Sequence, residues 1–214
     1  MKLFSRIPPE RGPVRGLAKT RQAEFSAMPP AFSPQRTPQP DKAPGSGCVS
    51  IIGMAAAGKT TIGRELAVLL DCPQLDTDQL IEATYGARLQ AICSVLGKEA
   101  FLDVEAQVIG RLRANRMIIS TGGSVVYRAN SMAHLRALGP LIYIAVPLPV
   151  IQERIRRKPD RGLAINPGQT VEDLFLERKR LYETFATFTV EGGDAPPRVY
   201  AARIADWLSK QRAS

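Results

Sequence analysis

A single histidine, His134, stands among 214 residues. Catalysis by paired histidines, or a metal held by several imidazoles, is therefore close to excluded. Cysteine is also scarce. Cys48, Cys72 and Cys93 are odd in number and match no metal-ligand spacing, which argues against a disulfide framework and points to a reducing, cytoplasmic compartment. No run of about 18 apolar residues occurs, so no membrane-spanning helix is expected. The N-terminal stretch lacks the apolar h-region of a secretory signal, and it carries no nucleic-acid-binding motif.

What is present is ordinary for a globular chain: 44% apolar and 23% charged residues, in a length that suits one α/β domain. The net charge of +9 is unevenly placed. Met1–Gly45 holds eight Lys and Arg against three acids. Residues 1–47 are rich in proline and have no apolar period, so they are expected to form a disordered basic tail. An organellar transit peptide, a nucleic-acid-binding arm, or a true start at Met28 are the other readings of this stretch. Residues 48–214 are expected to form one domain.

From Cys48 onward, short apolar strands alternate with amphipathic helices. Strand patterns cover Val49–Ile52, Pro73–Leu75, Met117–Ser120, Leu141–Ala145 and Phe188–Val190. Helical patterns cover Thr60–Leu70, Gln79–Tyr85, Leu89–Leu96, Lys98–Ala114, Ala129–Leu138, Val150–Arg157, Val171–Thr184 and Pro197–Lys210. Lys158–Gln169 is polar and reads as a mobile lid loop. Such alternation indicates parallel βαβ units. The expected architecture is α/β: a three-layer P-loop NTPase fold with a five-stranded parallel sheet between helices.

The strongest motif is Gly53-Met54-Ala55-Ala56-Ala57-Gly58-Lys59-Thr60, which fits G-x-x-x-x-G-K-[ST] between an apolar strand and an amphipathic helix. The glycines allow a tight turn whose N–H groups face inward, and the following helix adds the positive end of its dipole. Lys59 is expected to reach the β- and γ-phosphates of ATP, and Thr60 to ligate Mg²⁺. Gly53, Ala55, Ala56, Ala57, Gly58 and Thr61 complete the expected nucleotide site. After the second strand come Asp76 and Asp78. Alternation along an extended segment would put both carboxylates on one side, beside the phosphate loop. One could hold Mg²⁺ and the other could take a proton from an attacking hydroxyl. A D-x-D pair alone is more often a turn or helix N-cap.

GMAAAGKTTIGRELA followed by LDTDQLIEATYG resembles the shikimate kinase family. The likeness continues through GKEAF with Glu105, STGGS, a loop with Arg161, and Arg178-Lys179-Arg180-Leu181-Tyr182 with Ala186 beyond. It spans nearly everything from Val49 to Val190. The resemblance implies that Lys59 and Thr60 contact phosphate and Mg²⁺, and that Asp76 supports the metal. It implies that Asp78 orients the acceptor hydroxyl, and that Gly122, Gly123 and the neighbouring Ser124 border the acceptor. By the same resemblance Arg161 is the lid arginine, Arg154 lies against adenine, and Arg178 grips a carboxylate.

Three departures bear on the acceptor. The family's F-R-x-x-E element reads Phe101-Leu102 here, Ser124 takes the third glycine's place, and the lid reads Arg161-Gly162-Leu163-Ala164 instead of Arg-Pro-Leu-Leu. A charge-assisted hydrogen bond contributes about 1.5–3 kcal/mol, so the missing arginine should weaken shikimate binding about 10- to 150-fold. The other reading is that Leu102 merely packs within its helix. With one carboxylate grip left, the expected acceptor is a small hydroxy carboxylate, homoserine foremost. Shikimate is the alternative, and a non-catalytic sensor on the same fold is a remote third. Expected cofactors are ATP and Mg²⁺. Expected partners are the small substrate alone, with no nucleic acid or membrane, and the expected state is a monomer.

Overall fold

The computed structural model describes residues 47–157, 164–165 and 168–213. The expected tail, apart from Gly47, lies outside the described residues, as do Arg161 and most of the expected lid loop.

Strand β1, Val49–Ile52, is buried at every position. A four-residue run without polar alternation suits a central strand covered on both faces. It lies between β3 (Ile118–Ser120) and β4 (Leu141–Ala145), while β2 (Gln74–Asp76) and β5 (Phe188–Glu191) form the edges. All pairings are parallel. The five-stranded sheet of the expected P-loop architecture is therefore present, in the order β2-β3-β1-β4-β5. The order reverses at β1, so the chain leaves β1 at a crevice on the carboxyl edge of the sheet, where ligands of open α/β sheets bind.

Eight helices are described: α1 (Lys59–Leu69), α2 (Thr77–Tyr85), α3 (Leu89–Leu96), α4 (Lys98–Arg111), α5 (Ala129–Leu138), α6 (Leu148–Arg157), α7 (Val171–Phe185) and α8 (Pro197–Ala213). Helix α1 buries Ile62, Leu66 and Ala67, an i, i+4, i+5 stripe, and packs mainly on α8. Helix α2 starts at Thr77, earlier than its apolar period suggests, because Asp76 caps it. Helix α4 stops at Arg111 because Leu112 turns to an extended conformation. A short 3₁₀ turn at Val125–Tyr127 had no signal in the apolar pattern.

The core is in two parts. The larger surrounds the sheet, with Ile51, Ile119, Ile142, Leu174 and Ile204 at its centre. The smaller joins Ile81 of α2, Ile92 of α3, Phe101 of α4 and Ala164 of the expected lid. Partly buried side chains, among them Tyr85, Leu89, Leu96, Val104 and Val108, pack against this second cluster.

Candidate active site

Six residues, Gly53 to Gly58, connect β1 to α1. Gly53 has φ 144°, and a Cβ there would stand 2.9 Å from the Ile144 carbonyl oxygen, so only glycine passes without a shift. Gly58 is the N-cap of α1 with φ 92° and provides no side-chain cap. The first N–H groups of α1 are thus not used up by a capping side chain, which is the condition for binding an anion there. Ala55, Ala56, Ala57, Thr60 and Thr61 line the same cleft, an open space of about 920 Å³. Ala56 has φ 65°, a left-handed conformation that disfavours a side chain. Lys59 is almost wholly buried. Its ammonium donates to the carbonyls of Gly53 (2.7 Å) and Met54 (2.8 Å), closing the loop on itself.

The two aspartates are not related by strand alternation. β2 ends at Asp76, and Asp78 already lies in the first turn of α2. Asp76 does two things at once. Its Oδ1 accepts from the backbone N–H groups of Asp78 (3.0 Å) and Gln79 (3.3 Å), and its Oδ2 accepts from the Thr60 hydroxyl at 2.6 Å. The N-cap role and the metal-site position are therefore compatible in one carboxylate. A hydroxyl and a carboxylate at the mouth of a phosphate loop are hard oxygen donors of the type Mg²⁺ takes, since that ion usually keeps several waters and uses one or two protein oxygens plus phosphate. Thr60 and Asp76 fit it. Among the described residues no cluster of three His, Cys, Asp or Glu forms a separate metal site.

The STGGS segment runs on from β3 and lines the cleft with Thr121, Gly123 and Ser124. Gly122 N–H donates to the Thr77 hydroxyl (3.1 Å). A side chain at Gly122 would collide with Glu105 Oε1 and would come within 2.6 Å of Asp78 Oδ1. Only hydrogen at this position lets the two carboxyl groups approach each other. Glu105 is fully buried; burial, followed by the neighbouring charge of Asp78, pushes its carboxyl up to about 8. The Ser124 hydroxyl donates to it, and that bond opposes the rise together with the positive charges of Arg178 and Lys59.

Helix α7 buries Leu174, Arg178 and Tyr182, spaced i, i+4, i+8 along a single face. An arginine in that stripe needs partners, and it finds them. Its Nη2 donates to the Ala164 carbonyl (2.8 Å), its Nε to the Tyr127 hydroxyl (3.2 Å), and its guanidinium stands 5.1 Å from the Tyr127 ring centre. Nη1 lies 3.1 Å from where a Gly123 Cβ would be. One turn on, the Tyr182 hydroxyl donates to the Gly123 carbonyl at 2.5 Å. The R-x-x-x-Y spacing thus sends the arginine into the cleft and the tyrosine into the floor beneath it.

Arg154 is half-buried rather than a solvated surface charge. It donates to the carbonyls of Ala56 (3.3 Å) and Gly193 (2.6 Å), tying the phosphate loop to the segment after β5. That segment, with Gly192, Gly193, Ala195 and Pro197, forms the far wall of the cleft and was missed in the sequence. Its one signal was the Gly192-Gly193 pair after the fifth strand. Glu105 was noted only as part of the GKEAF likeness, and its burial had no signal in one dimension. Leu102 is 2% exposed, and the cleft wall at this point of α4 is Phe101.

A profile of the family described as shikimate kinase matches residues 55–209. The chain belongs to the shikimate kinase family. A shikimate kinase of Aromatoleum aromaticum is 36% identical over 152 residues, covering 70% of this chain and 87% of that protein. One of Pasteurella multocida is 35% identical over 164 residues, covering 75% and 94%. Among solved structures, shikimate kinase from Acinetobacter baumannii in complex with shikimate superposes with a TM-score of 0.73 at 30% identity, covering 80% of this chain and 97% of that one. The enzyme is accordingly an ATP-dependent phosphotransferase that acts on a hydroxyl, in a family that uses ATP and Mg²⁺. No described helix is long and apolar enough to cross a membrane.

Proposed function

We propose that this member of the family transfers the γ-phosphate of ATP to a hydroxyl of shikimate. The observation that carries the reading is Arg178. It is 1% exposed and lines the same cleft as Asp78, Gly123 and Ser124, where a carboxylate-bearing ring would be held. The Acinetobacter relative, similar over most of its length, is described with shikimate bound. Homoserine, expected from the loss of the family's arginine at Leu102, finds no such support. Leu102 is buried and does not line the cleft, so its change removes a charge without reshaping the exposed wall.

In this reading Lys59 leaves the loop carbonyls and contacts the β- and γ-phosphates, while the loop N–H groups and α1 hold the remainder. Mg²⁺ held near Thr60 and Asp76 would neutralise phosphate charge. Asp78 receives the acceptor hydroxyl and takes its proton, and Arg178 fixes the acceptor by its carboxylate. Gly122, Gly123 and Ser124 border the acceptor. Arg154 and the Gly192–Pro197 wall border the base of the nucleotide. Arg161, outside the described residues, is proposed as the lid cation. Positioning and charge neutralisation then supply most of the rate enhancement, by direct in-line transfer.

The proposal extends to a monomer acting in the cytoplasm, which the three free cysteines favour, and to a tail over residues 1–47 that is dispensable for turnover. The deciding measurement is kcat/KM with ATP and Mg²⁺ over shikimate, homoserine and other hydroxy acids. Shikimate is expected to rank first. A higher value for homoserine would restore the earlier expectation.

A further inference from the structure

Glu105 is the least expected group in the cleft. It is a fully buried acid on α4, its Oε1 has no hydrogen-bond partner among the described residues, and nothing in the phosphate-transfer scheme uses it. Burying an ionised carboxylate in this way would cost several kcal/mol. Its surroundings offer a different solution. Oε1 and Asp78 Oδ1 both crowd the one spot where a Gly122 Cβ would stand. The Ser124 hydroxyl serves Glu105 as well. Three residues earlier on α4, the position that could answer Glu105 with a cation carries Leu102. The groups facing Glu105 are then Asp78 from α2, Ser124 from the STGGS segment, Arg178 from α7 and Lys59 from α1. The nearest strong influence is another carboxylate.

We infer that Glu105 is a positioning residue: its carboxyl group, kept protonated, donates a hydrogen bond to the Asp78 carboxylate across Gly122 and so aims Asp78 at the acceptor hydroxyl. The inference rests on the role proposed for Asp78. It gives a reason for glycine at 122, since any side chain would separate the two acids. It also gives Asp78 a fixed direction before the acceptor arrives, which is what a base that takes a proton during transfer needs. The proton of Glu105 stays on Glu105; the proton removed from the acceptor goes to Asp78.

The test has two arms. The first needs no acceptor. Infrared difference spectra between wild type and Glu105→Gln should show the carbonyl stretch of a protonated carboxylic acid at pH 6.5, fading with a midpoint near 8. The second is the pH profile of kcat/KM. Wild type should lose activity on the alkaline side as Glu105 ionises, and Glu105→Gln, which keeps a donor at every pH, should lack that limb. At pH 7 Glu105→Ala should lose about 10- to 150-fold, the worth of one hydrogen bond to a charged group, and Glu105→Gln should recover most of that loss. No protonated-acid band at pH 6.5, or the same alkaline limb in Glu105→Gln as in wild type, overturns the inference. If shikimate proves to be the wrong acceptor, the acceptor assignment falls while the band and its midpoint are unaffected, and the profile is taken with whichever acceptor is used.

Discussion

The hydroxyl of Thr60, first turn of α1, donates to the carboxylate of Asp76, last residue of β2, at 2.6 Å. This bond joins the helix that follows the phosphate loop to the end of the edge strand β2. The same carboxylate caps α2, so its loss has two separable effects. Asp76→Asn keeps an oxygen for the cap and should hold most of the stability, because capping by Asn equals that by Asp. Its charge is gone, however. The Mg²⁺ concentration for half-maximal activity should rise about tenfold or more, with Tm close to wild type. An unchanged Mg²⁺ dependence would remove Asp76 from the metal site.

Lys59 and Asp78 should separate binding from turnover. Lys59→Ala deletes the cation that closes the loop and should lower kcat by about 10²-fold or more. Asp78→Ala should lower turnover to a similar degree while calorimetric ATP affinity is largely kept. Full activity in either variant contradicts its assigned role.

Leu102→Arg places a cation on α4 three residues before Glu105, at a position buried in the wild type. The KM for shikimate should fall, by up to the 10- to 150-fold that a charge-assisted hydrogen bond is worth. The homoserine rate should not rise with it. A folded Leu102→Arg protein with unchanged shikimate KM would show that Arg178 alone sets the carboxylate grip.

Ala56 carries a left-handed φ of 65°. An L residue in that region costs about 1–2 kcal/mol, and the larger backbone entropy of glycine returns part of it. Ala56→Gly should therefore stabilise the protein, by about 0.5–1 kcal/mol in denaturant titration. Destabilisation would mean that packing of the Ala56 methyl outweighs the strain.

Glu105 should also make stability depend on pH. Its carboxyl is raised from 4.5 to about 8 in the folded protein. The folded state then holds a proton that the unfolded state releases above 4.5, so stability from this group is full at low pH and is lost as pH rises from 4.5 through about 8. Glu105→Gln removes that slope. The stability gap between Glu105→Gln and wild type should widen over this window in favour of the variant, on the order of a few kcal/mol. A constant gap would show that Glu105 ionises normally.

Much of the fold was legible in one dimension. The apolar runs at Val49–Ile52 and Leu141–Ala145 and the helical periods of α3 and α5 coincide with their elements. A buried parallel strand must be apolar on both faces, and that pattern survives without knowledge of its neighbours. The phosphate loop was equally plain, because its chemistry is carried by backbone and by residues adjacent in sequence. The arginines were less so. Arg154 and Arg178 differ from surface arginines only in what surrounds them: Ala56 and Gly193 for one, Tyr127 and Ala164 for the other.

The strand-helix alternation and the G-x-x-x-x-G-K-T loop were enough to determine a nucleotide-binding α/β domain, since both act through local geometry, and phosphate transfer was implied by the resemblance to the shikimate kinase family. The tertiary structure decided what depends on distant segments meeting. It placed Asp78 on a helix rather than a strand, buried Leu102 away from the cleft wall, and brought Glu105 against Asp78 over Gly122. Whether an acid is charged, and what it faces, is set by the dielectric and neighbours that folding supplies, and no spacing in a sequence records them.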